Sequence, residues 1–384
     1  MKKKLFIGVL LSVFSFTWLH AAPVSLGSAK SIAREFCDWQ SKATKGDMLT
    51  CVYPKATKSG EFVPYYIFNV GEGNGFVIVS GDDNTMRRVL AYSETGMFDM
   101  ENLPDNVRYW LGFYEEQVKL ASSSSAPVRK APVESHGAPI VAPLLGEISY
   151  NQNAPYNLLC PIDLNTNQRS MVGCVATAIV SIASYYKYPT QGRDWVKYTP
   201  NPNNTGYIEA DLSQSFYDWS QILPTYEGEG VSSTGKQDTA IALLMRDAGY
   251  GASMSYSSDA SGATINGAVL SAVRHLRYDS LLSARLRDTY DDDAEWISML
   301  KVSLDSAIPL YYTGQSAGGG HAFVCDGYDS MDYFHINWGW GDRGKREFDG
   351  YFLIQVLDPG EGGIGAGKGA YTKEQYVMYN MVPN

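Results

Sequence analysis

The sequence has little positive charge, and none of its charges are gathered into long blocks. Lys and Arg number 31 among 384 residues, against 41 Asp and Glu, so the formal net charge is −10. Nucleic-acid binding depends on clustered basic side chains that neutralise phosphates. We therefore expect no nucleic-acid partner. The charged fraction of 19% beside 13% aromatic residues is typical of a folded globular protein.

Long hydrophobic runs are also missing, apart from one at the start of the chain. Lysines at 2–4 precede an apolar run over 5–19, and small residues follow at Ala21 and Ala22. This order predicts a signal peptide over residues 1–22. A membrane anchor would need about 20 apolar residues, more than this run offers. We therefore expect a secreted protein, extracellular or periplasmic, with no membrane anchor.

Cysteine is scarce, and no two cysteines stand in a C-x-x-C spacing. This excludes the familiar spacings of zinc knuckles and thioredoxin-type sites. The cysteines are Cys37, Cys51, Cys160, Cys174 and Cys325. An odd number in an exported protein leaves at least one thiol without an intramolecular disulfide. Cys37 and Cys51 could form a bridge, which the sequence alone does not decide.

Residues 23–137 read as a first module that ends in a linker. Runs rich in β-branched and aromatic residues lie over 63–68 and 75–80, and a helix with one apolar face is predicted from Pro104. From about residue 121 the chain is rich in Ser and Pro and carries the pair Arg129-Lys130. This composition predicts a flexible linker with a cleavage site, or a tether that is left intact.

Residues 138–384 read as a second module in which helices come first and strands later. Apolar periodicity predicts helices over 175–186, 238–248, 265–276 and 293–304. Strands are predicted over 309–312, 321–326, 333–338, 351–356 and 375–382. The glycine-rich stretch 360–367 has no following G-K-[ST], so it does not indicate a phosphate site. The pattern predicts an α+β domain with two unlike halves.

Cys174 is the candidate nucleophile of this module. It follows Gly173 and opens the helix predicted over 175–186. Unpaired N–H groups and the positive end of the dipole at a helix N-terminus favour the reactive thiolate. A small cysteine buried in the core is the alternative at this position.

His321 is the candidate base. It follows three glycines, which allow a substrate chain to approach closely. His275 lies between Arg274 and Arg277 on a predicted helix, so we expect it on a solvated face. His335 stands two residues before Asn337 in the run H-I-N-W-G-W-G. A strand histidine without a catalytic role is the alternative for His321.

Three further residues could complete the site. Asn337 could hydrogen-bond the imidazole and fix its tautomer, and the neighbouring Trp338 could shield that bond from water. Gln152, in the polar run Y-N-Q-N, could supply an oxyanion donor beside the N–H of Cys174. Non-catalytic interpretations stay open for these residues. The motif that contains Asn337 and Trp338 could be a buried aromatic turn, and Gln152 could lie in a polar surface loop.

Taken together, these stretches resemble the streptopain family of secreted bacterial cysteine proteases. The matching stretches are Y-N-Q-N-A-P-Y-N-L-L (150–159), G-C-V-A-T-A (173–178), D-W-S-Q-I-L-P (218–224), G-G-H-A-F-V (319–324) and H-I-N-W-G-W-G (335–341). The first module is similar to the propeptide of that family, through G-F-V-I-V-S-G-D (75–82) and A-Y-S (91–93). The chain departs from the family pattern at Val172, where a small polar residue is common, and at Asp342, where glycine is frequent. These departures concern the shape of the substrate-binding subsites.

The resemblance implies a papain-like fold with a helical half and an antiparallel β half, preceded by an α+β prodomain. It implies a zymogen that its own propeptide inhibits, and cleavage of proteins or peptides with an apolar side chain at the second subsite. By motif, Cys174 is the nucleophile, His321 its proton acceptor and Gln152 the oxyanion donor, while Asn337 and Trp338 orient and shield the histidine. No cofactor or metal is implied.

Two other functions stay open at this point. The first is a catalytically silent secreted binding protein on the same fold, which would use its Tyr- and Trp-rich surface. The second is a metal site built from Cys174, His321, Cys325 and His335, which has no familiar ligand spacing.

Overall fold

The structure is a computed structural model, and it describes residues 23–37, 48–56, 61–123, 137–228, 230–316, 319–341, 348–354 and 375–384. The predicted signal peptide, most of the predicted linker and the glycine-rich stretch lie outside these residues. None of the described helices has the length and apolar composition that crossing a membrane requires.

The residues before position 124 form a small antiparallel sheet with two helices. The elements are α1 (Leu26–Phe36), β1 (Leu49–Tyr53), β2 (Tyr65–Val70), β3 (Phe76–Ser80), β4 (Val89–Ser93) and α2 (Asp105–Ser123). Ser25 caps α1 by accepting a hydrogen bond from the Ser28 N–H at 3.1 Å. Strands β2, β3 and β4 are buried along their whole length, so both faces of this sheet are covered.

The first half of the remaining chain is mainly helical. Its elements are β5 (Pro139–Val141), β6 (Ile162–Asp163), β7 (Gln168–Arg169), α3 (Cys174–Tyr186), β8 (Trp195–Tyr198), β9 (Ile208–Asp211), α4 (Gly235–Gly251) and α5 (Ile265–Leu270). A π-helical turn, Ser271–His275, follows α5 directly. Thr234 and Gln237 form a capping box at the start of α4.

The second half is mainly antiparallel strand. Its elements are β10 (Ser283–Leu286), α6 (Asp293–Asp305), β11 (Leu310–Ser316), β12 (Gly319–Asp329), β13 (Phe334–Asn337), β14 (Gly350–Phe352) and β15 (Tyr376–Tyr379). Asp292 caps α6 by accepting from the Glu295 N–H at 2.8 Å. The helix-then-strand order predicted for this module is therefore present in the described residues.

One 11-stranded sheet runs through both modules. Its order is β1-β2-β3-β4-β14-β13-β12-β11-β15-β10, with β5 beside β12. The modules join where β4 pairs antiparallel with β14, with Tyr92 opposite Tyr351 and Ala91 opposite Phe352. Backbone hydrogen bonding is thus continuous from the first module into the second.

Strand β12 separates two hydrophobic cores. Phe323 and Cys325 belong to the core that includes α1 and α2, whereas Ala322 and Val324 belong to the core around α3 and α4. Alternate residues of this strand therefore face opposite layers of the molecule. This alternation decides which way the functional side chains on β12 point.

Two local expectations need correction. His275 is only 3% exposed, and its Nδ1 lies 3.0 Å from the Arg193 carbonyl oxygen, so it is not on a solvated face. The two neighbouring arginines suggested exposure, but the π-helical turn rotates His275 inward. Helix α2 continues to Ser123, past the linker start expected near residue 121.

Candidate active site

The thiol of Cys174 is placed by the glycine before it. Gly173 has φ of +87°, and a Cβ there would lie 2.6 Å from the Ser261 carbonyl oxygen and 2.7 Å from the Met254 sulfur. Only glycine fits this close approach and this backbone conformation. The chain therefore turns sharply and begins α3 at Cys174, which puts the thiol at the N-terminus of a 13-residue helix.

Two opposing effects act on the acidity of this thiol. Burial is the larger, and it raises the pKa of Cys174 above its ordinary value. Hydrogen bonds from the backbone N–H groups of Ala322, Val175 and Cys174 itself lower it. In this state the thiol is therefore held protonated, although donors that would stabilise a thiolate already surround the sulfur.

Gln152 lies beside Cys174 on the same wall. It is buried, and its main-chain oxygen accepts a 3.0 Å hydrogen bond from the Val172 N–H, two residues before the cysteine. The preceding Tyr150 carbonyl accepts from the Gly341 N–H at 2.8 Å. The segment that carries Gln152 is thus joined both to the start of α3 and to the tryptophan motif.

His321 approaches from the strand half. It stands near the start of β12, opposite Gly314 on β11. Its ring centroid lies 6.4 Å from that of Tyr109, which belongs to α2 of the first module. Burial lowers the pKa of His321, and the nearby Asp105 carboxylate raises it. The imidazole is therefore favoured in its neutral form while α2 covers it.

The three residues predicted to carry the chemistry line one cavity of about 720 Å³. Cys174, Gln152 and His321 all contribute to its walls, and residues from Asp105 to Glu116 of α2 form the opposite side. A second cavity, of about 980 Å³, also reaches Cys174 and His321. The structure thus places the three predicted residues on one cavity, and the first module lines its other side.

Asn337 and Trp338 do not contact His321 in the described residues. Asn337 lies opposite Val324, donates to the Ile148 carbonyl at 3.1 Å and accepts from the Gly339 N–H at 3.2 Å. By the alternation along β12, Val324 faces α3, whereas His321 shares the face of Phe323 and turns towards α2. The amide and the imidazole therefore lie on opposite faces of the sheet.

Trp338 is 1% exposed and packs into an aromatic cluster. Its ring centroid lies 4.8 Å from Phe323, 5.1 Å from Phe352 and 5.9 Å from Trp110. Trp110 belongs to α2, so the shielding tryptophan of the motif is covered by a tryptophan of the first module. The prediction that Trp338 shields the histidine stays a prediction for the form without that module.

Asn106 contacts the tryptophan motif in a way that the sequence interpretation did not predict. This fully buried residue of α2 donates to the Trp338 carbonyl and accepts from the Trp340 indole N–H, each at 2.6 Å. The first module thus hydrogen-bonds directly to the motif N-W-G-W-G. The only sequence signal was a polar residue on the apolar face of a predicted helix.

The other candidate ligands and thiols have separate surroundings. His335 Nδ1 lies 2.6 Å from the carboxylate of Asp326, which supports a role within the strand. No group of three or more potential metal ligands occurs in the part of the chain that the structure describes. All five cysteines are free thiols, so Cys37 and Cys51 do not form the bridge that was considered.

Comparison with known proteins identifies both modules. The profile of the peptidase C10 family matches residues 150–352, and that of the Spi protease inhibitor matches residues 21–118. The chain is 33% identical over 333 residues to streptopain of Streptococcus pyogenes serotype M28, which covers 83% of this chain and 80% of streptopain. It is 31% identical over 396 residues to the thiol protease/hemagglutinin PrtT of Porphyromonas gingivalis. That match covers 99% of this chain but only 44% of PrtT.

Solved structures give the same result for the fold. A prointerpain A fragment from Prevotella intermedia superposes with a TM-score of 0.70 at 28% identity, covering 88% of this chain and 99% of the fragment. Active interpain A cysteine protease from the same organism superposes with a TM-score of 0.52 at 29% identity, covering 63% and 95%. The expected α+β fold with a prodomain and the expected family resemblance are confirmed.

Proposed function

The chain belongs to the peptidase C10 family, and from that premise we propose that it is a secreted cysteine endopeptidase made as a zymogen. The proposed boundaries are a signal peptide over 1–22, an inhibitory propeptide over 23–137 and a catalytic domain over 138–384. The profile matches to each module support this division. Export rests on the basic and apolar N-terminal sequence alone.

The proposed chemistry is acyl transfer through a thioester. The Cys174 thiolate, paired with protonated His321, attacks the carbonyl carbon of a peptide bond. The Gln152 side chain and the Cys174 N–H stabilise the oxyanion. His321 protonates the leaving amine, and water then hydrolyses the acyl-enzyme to free the thiol and the new carboxylate.

The state of the cavity supports latency as well as chemistry. The propeptide helix α2 fills the side facing Cys174, and its burial of the site favours a neutral thiol and a neutral imidazole. His321 also faces away from Asn337. Removing the propeptide would readmit water and let His321 turn towards the thiol, which favours the thiolate–imidazolium pair.

An apolar second subsite is supported by the larger cavity beside Cys174. Its wall includes Val175, Ala252, Ile265, Leu270 and Tyr311. Aliphatic and aromatic side chains in such a wall favour an apolar substrate residue over a charged one, because a charge would lose its hydration there. We propose protein or peptide substrates that carry an apolar residue at that position.

The observation that carries the proposal is the convergence of Cys174, His321 and Gln152 on one cavity that the propeptide covers. The test is the full-length chain with Cys174→Ala, assayed for self-processing and for cleavage of an unfolded protein substrate. We expect no turnover, because the nucleophile is absent. Cys160→Ala is the matched control, since that thiol is buried away from the cavity, and it should process and cleave normally.

A thiol-directed covalent probe separates the protease from a silent binding protein. After propeptide removal the probe should label Cys174 rapidly in the wild-type chain and in Cys160→Ala. Turnover that survives Cys174→Ala would overturn the assignment of the nucleophile. A processed chain that binds proteins but neither cleaves them nor reacts with the probe would favour the binding protein.

A further inference from the structure

A fully buried carboxylate joins the two modules beside the point where the catalytic region begins. Asp329, at the end of β12, is 0% exposed and accepts four hydrogen bonds. Its Oδ1 accepts from the N–H groups of Met331 and Tyr333 at 2.8 and 2.9 Å. Its Oδ2 accepts from the Tyr92 hydroxyl at 2.7 Å and from the Gly137 N–H at 3.2 Å. Four donors on two oxygens suit an ionised carboxylate, which only accepts hydrogen bonds.

The donors differ in what happens to them when the propeptide leaves. Met331 and Tyr333 belong to the turn after β12 and stay. Tyr92 belongs to propeptide strand β4 and is removed. Gly137 lies at the boundary between the two modules. Without Tyr92, Oδ2 keeps only the longest of the four bonds, which leaves a buried negative charge poorly compensated.

From Gly137 onward the chain is anchored to β12. The Ser330 N–H donates to the Ala138 carbonyl at 2.9 Å, and β5 pairs with the end of β12. Gly137 itself is buried, and a Cβ there would lie 2.7 Å from the Ser330 Oγ and 2.9 Å from the Asp329 carboxylate. The backbone nitrogen of residue 137 is thus held close to the carboxylate, and a larger residue there would require the side chains of Ser330 and Asp329 to shift.

Hydrolysis of the His136–Gly137 bond would supply the missing compensation. Water adds across the bond, so that His136 gains a carboxylate and Gly137 gains an α-ammonium group. That group carries a positive charge and three N–H donors where the amide had one donor and no charge. Charge-assisted bonds of this kind are about twice as strong as neutral ones.

We propose that Gly137 is the first residue of the mature chain and that Asp329 is the buried receptor of its α-ammonium group. This rests on the proposed function in one respect, that the propeptide is removed. Ser135 does not suit an apolar second subsite, so the last cut is assigned to a trimming peptidase and not to the enzyme's own specificity. The ion pair then replaces Tyr92 and fixes the start of β5 on β12.

Other titratable groups near Asp329 are few and identifiable among the described residues. Tyr92 and Tyr351 stack with ring centroids 5.1 Å apart, and Asp326, on β12 itself, pairs with His335 of β13. Asp332, whose N–H donates to the Asp329 main-chain oxygen at 3.3 Å, pairs with Lys301. Arg87 reaches the Met331 carbonyl at 3.4 Å. Burial, followed by the Asp329 charge, raises the pKa of Tyr92, so its phenol keeps its proton.

The test uses the full chain with Cys174→Ala, so its outcome does not depend on catalysis. Residues 131–136 are replaced by a hexapeptide that a site-specific endopeptidase cuts at its carboxyl end, which makes Gly137 the new N-terminus. Acetylation of the α-amine is then followed by mass spectrometry across pH. The matched control carries one serine inserted before Gly137, which moves the amine by about 3.5 Å and leaves Asp329 in place.

We expect the Gly137 amine to react at least 10-fold more slowly at pH 7.5 than the amine of the inserted serine. Its rate should also reach half-maximum at a higher pH, because a neighbouring carboxylate stabilises the ammonium form. Burial without an ion pair would move that midpoint to lower pH. Asp329→Asn should abolish the upward shift, and the serine insertion gives the same comparison if Asp329→Asn does not fold.

Equal acetylation rates and pH midpoints in the two N-terminal forms would overturn the proposal that Asp329 binds the α-ammonium group. The wild-type chain supplies an independent check through the N-terminus of its stable end product. Gly137 as the first residue supports the proposal. A stable end product that begins at Ala131, directly after the dibasic pair, overturns it.

Discussion

The two walls of the cavity are built in different ways. The cysteine wall is assembled within residues 137–384: Gly173 sets the turn, α3 supplies N–H groups, and the segment of Gln152 is bonded to the residues before Cys174. The histidine wall depends on the first module, because Tyr109 lies against His321 and Trp110 packs on Phe323. The first wall is built without the propeptide, whereas the second contacts it, so under the proposed function only the second wall changes its contacts on maturation.

This difference explains how a protease can be latent without a distorted nucleophile. The propeptide need not disturb Gly173 or α3. It is sufficient to hold the face of β12 that carries His321 and to bond to the tryptophan motif through Asn106. The N–H groups of Val175 and Cys174, which would stabilise a thiolate, belong to α3, so under the proposed function removal of the propeptide leaves the histidine wall to rearrange.

Trp110→Ala tests the histidine wall and has the largest expected effect. Trp110 is 0% exposed and contacts Trp338 and Phe323. Loss of a buried tryptophan side chain should lower the free energy of unfolding of the Cys174→Ala precursor by about 3–5 kcal/mol. Urea denaturation followed by tryptophan fluorescence and circular dichroism measures this change.

Leu120→Ala is the matched control on the same helix, since Leu120 is 44% exposed. We expect a change within about 0.5 kcal/mol for it. In a wild-type background, Trp110→Ala should also shorten the lag before self-processing. Equal stability of the two variants would contradict the packing of α2 on the histidine wall.

Gln152→Ala tests the cysteine wall, and its effect should appear only after maturation. Loss of one oxyanion donor should lower kcat of the processed enzyme by about 10²–10³-fold, with the thermal midpoint of the precursor nearly unchanged. Steady-state cleavage of a peptide substrate measures kcat. Asn153→Ala, at an exposed neighbouring position, should retain full kcat. A wild-type kcat in Gln152→Ala would remove Gln152 from the proposed oxyanion site.

The sequence predicted the cysteine wall better than the histidine wall, and the reason is physical. A helix start after glycine is a local property, so the position of Cys174 on α3 follows from neighbouring residues. The helices predicted over 175–186 and 293–304 agree with α3 and α6 to within one residue at each end. In both segments, helix propensity and burial of the apolar face favour the same structure.

The histidine wall depends on contacts between residues far apart in the chain. Asn106 reaches Trp338 across 232 positions, and no pattern along a single sequence encodes such a contact. The strands predicted over 321–326 and 333–338 are present as β12 and β13, and their pairing register sets Asn337 opposite Val324. A shift of one residue in the pairing register turns every side chain of the strand to the opposite face of the sheet, and spacing along the sequence does not determine that register.

The pH dependence of Cys174 alkylation distinguishes two ways in which the propeptide could act on these walls. Burial raises the pKa of Cys174 in the precursor, so below that pKa the sulfur is protonated, and its reaction with iodoacetamide should be slow at pH 7 and rise with pH. After processing, hydration and an imidazolium neighbour lower the pKa, so the rate should level off at lower pH. Mass spectrometry of the Cys174 peptide measures both profiles in a Cys51→Ser background, which removes a half-buried thiol.

Cys160 serves as the internal reference, because burial raises its pKa to about 12 in a region distant from α2. Its labelling should stay slow in both forms. A lower midpoint after processing means that water or a positive neighbour has reached the sulfur, because burial is what raises the pKa of Cys174 in the precursor. The same measurement in His321→Ala separates these two causes. If the midpoint falls further in the wild-type chain than in His321→Ala, the imidazole has come to the sulfur and the histidine wall rearranges. Equal midpoints in the two processed forms mean that the propeptide only covers the thiol.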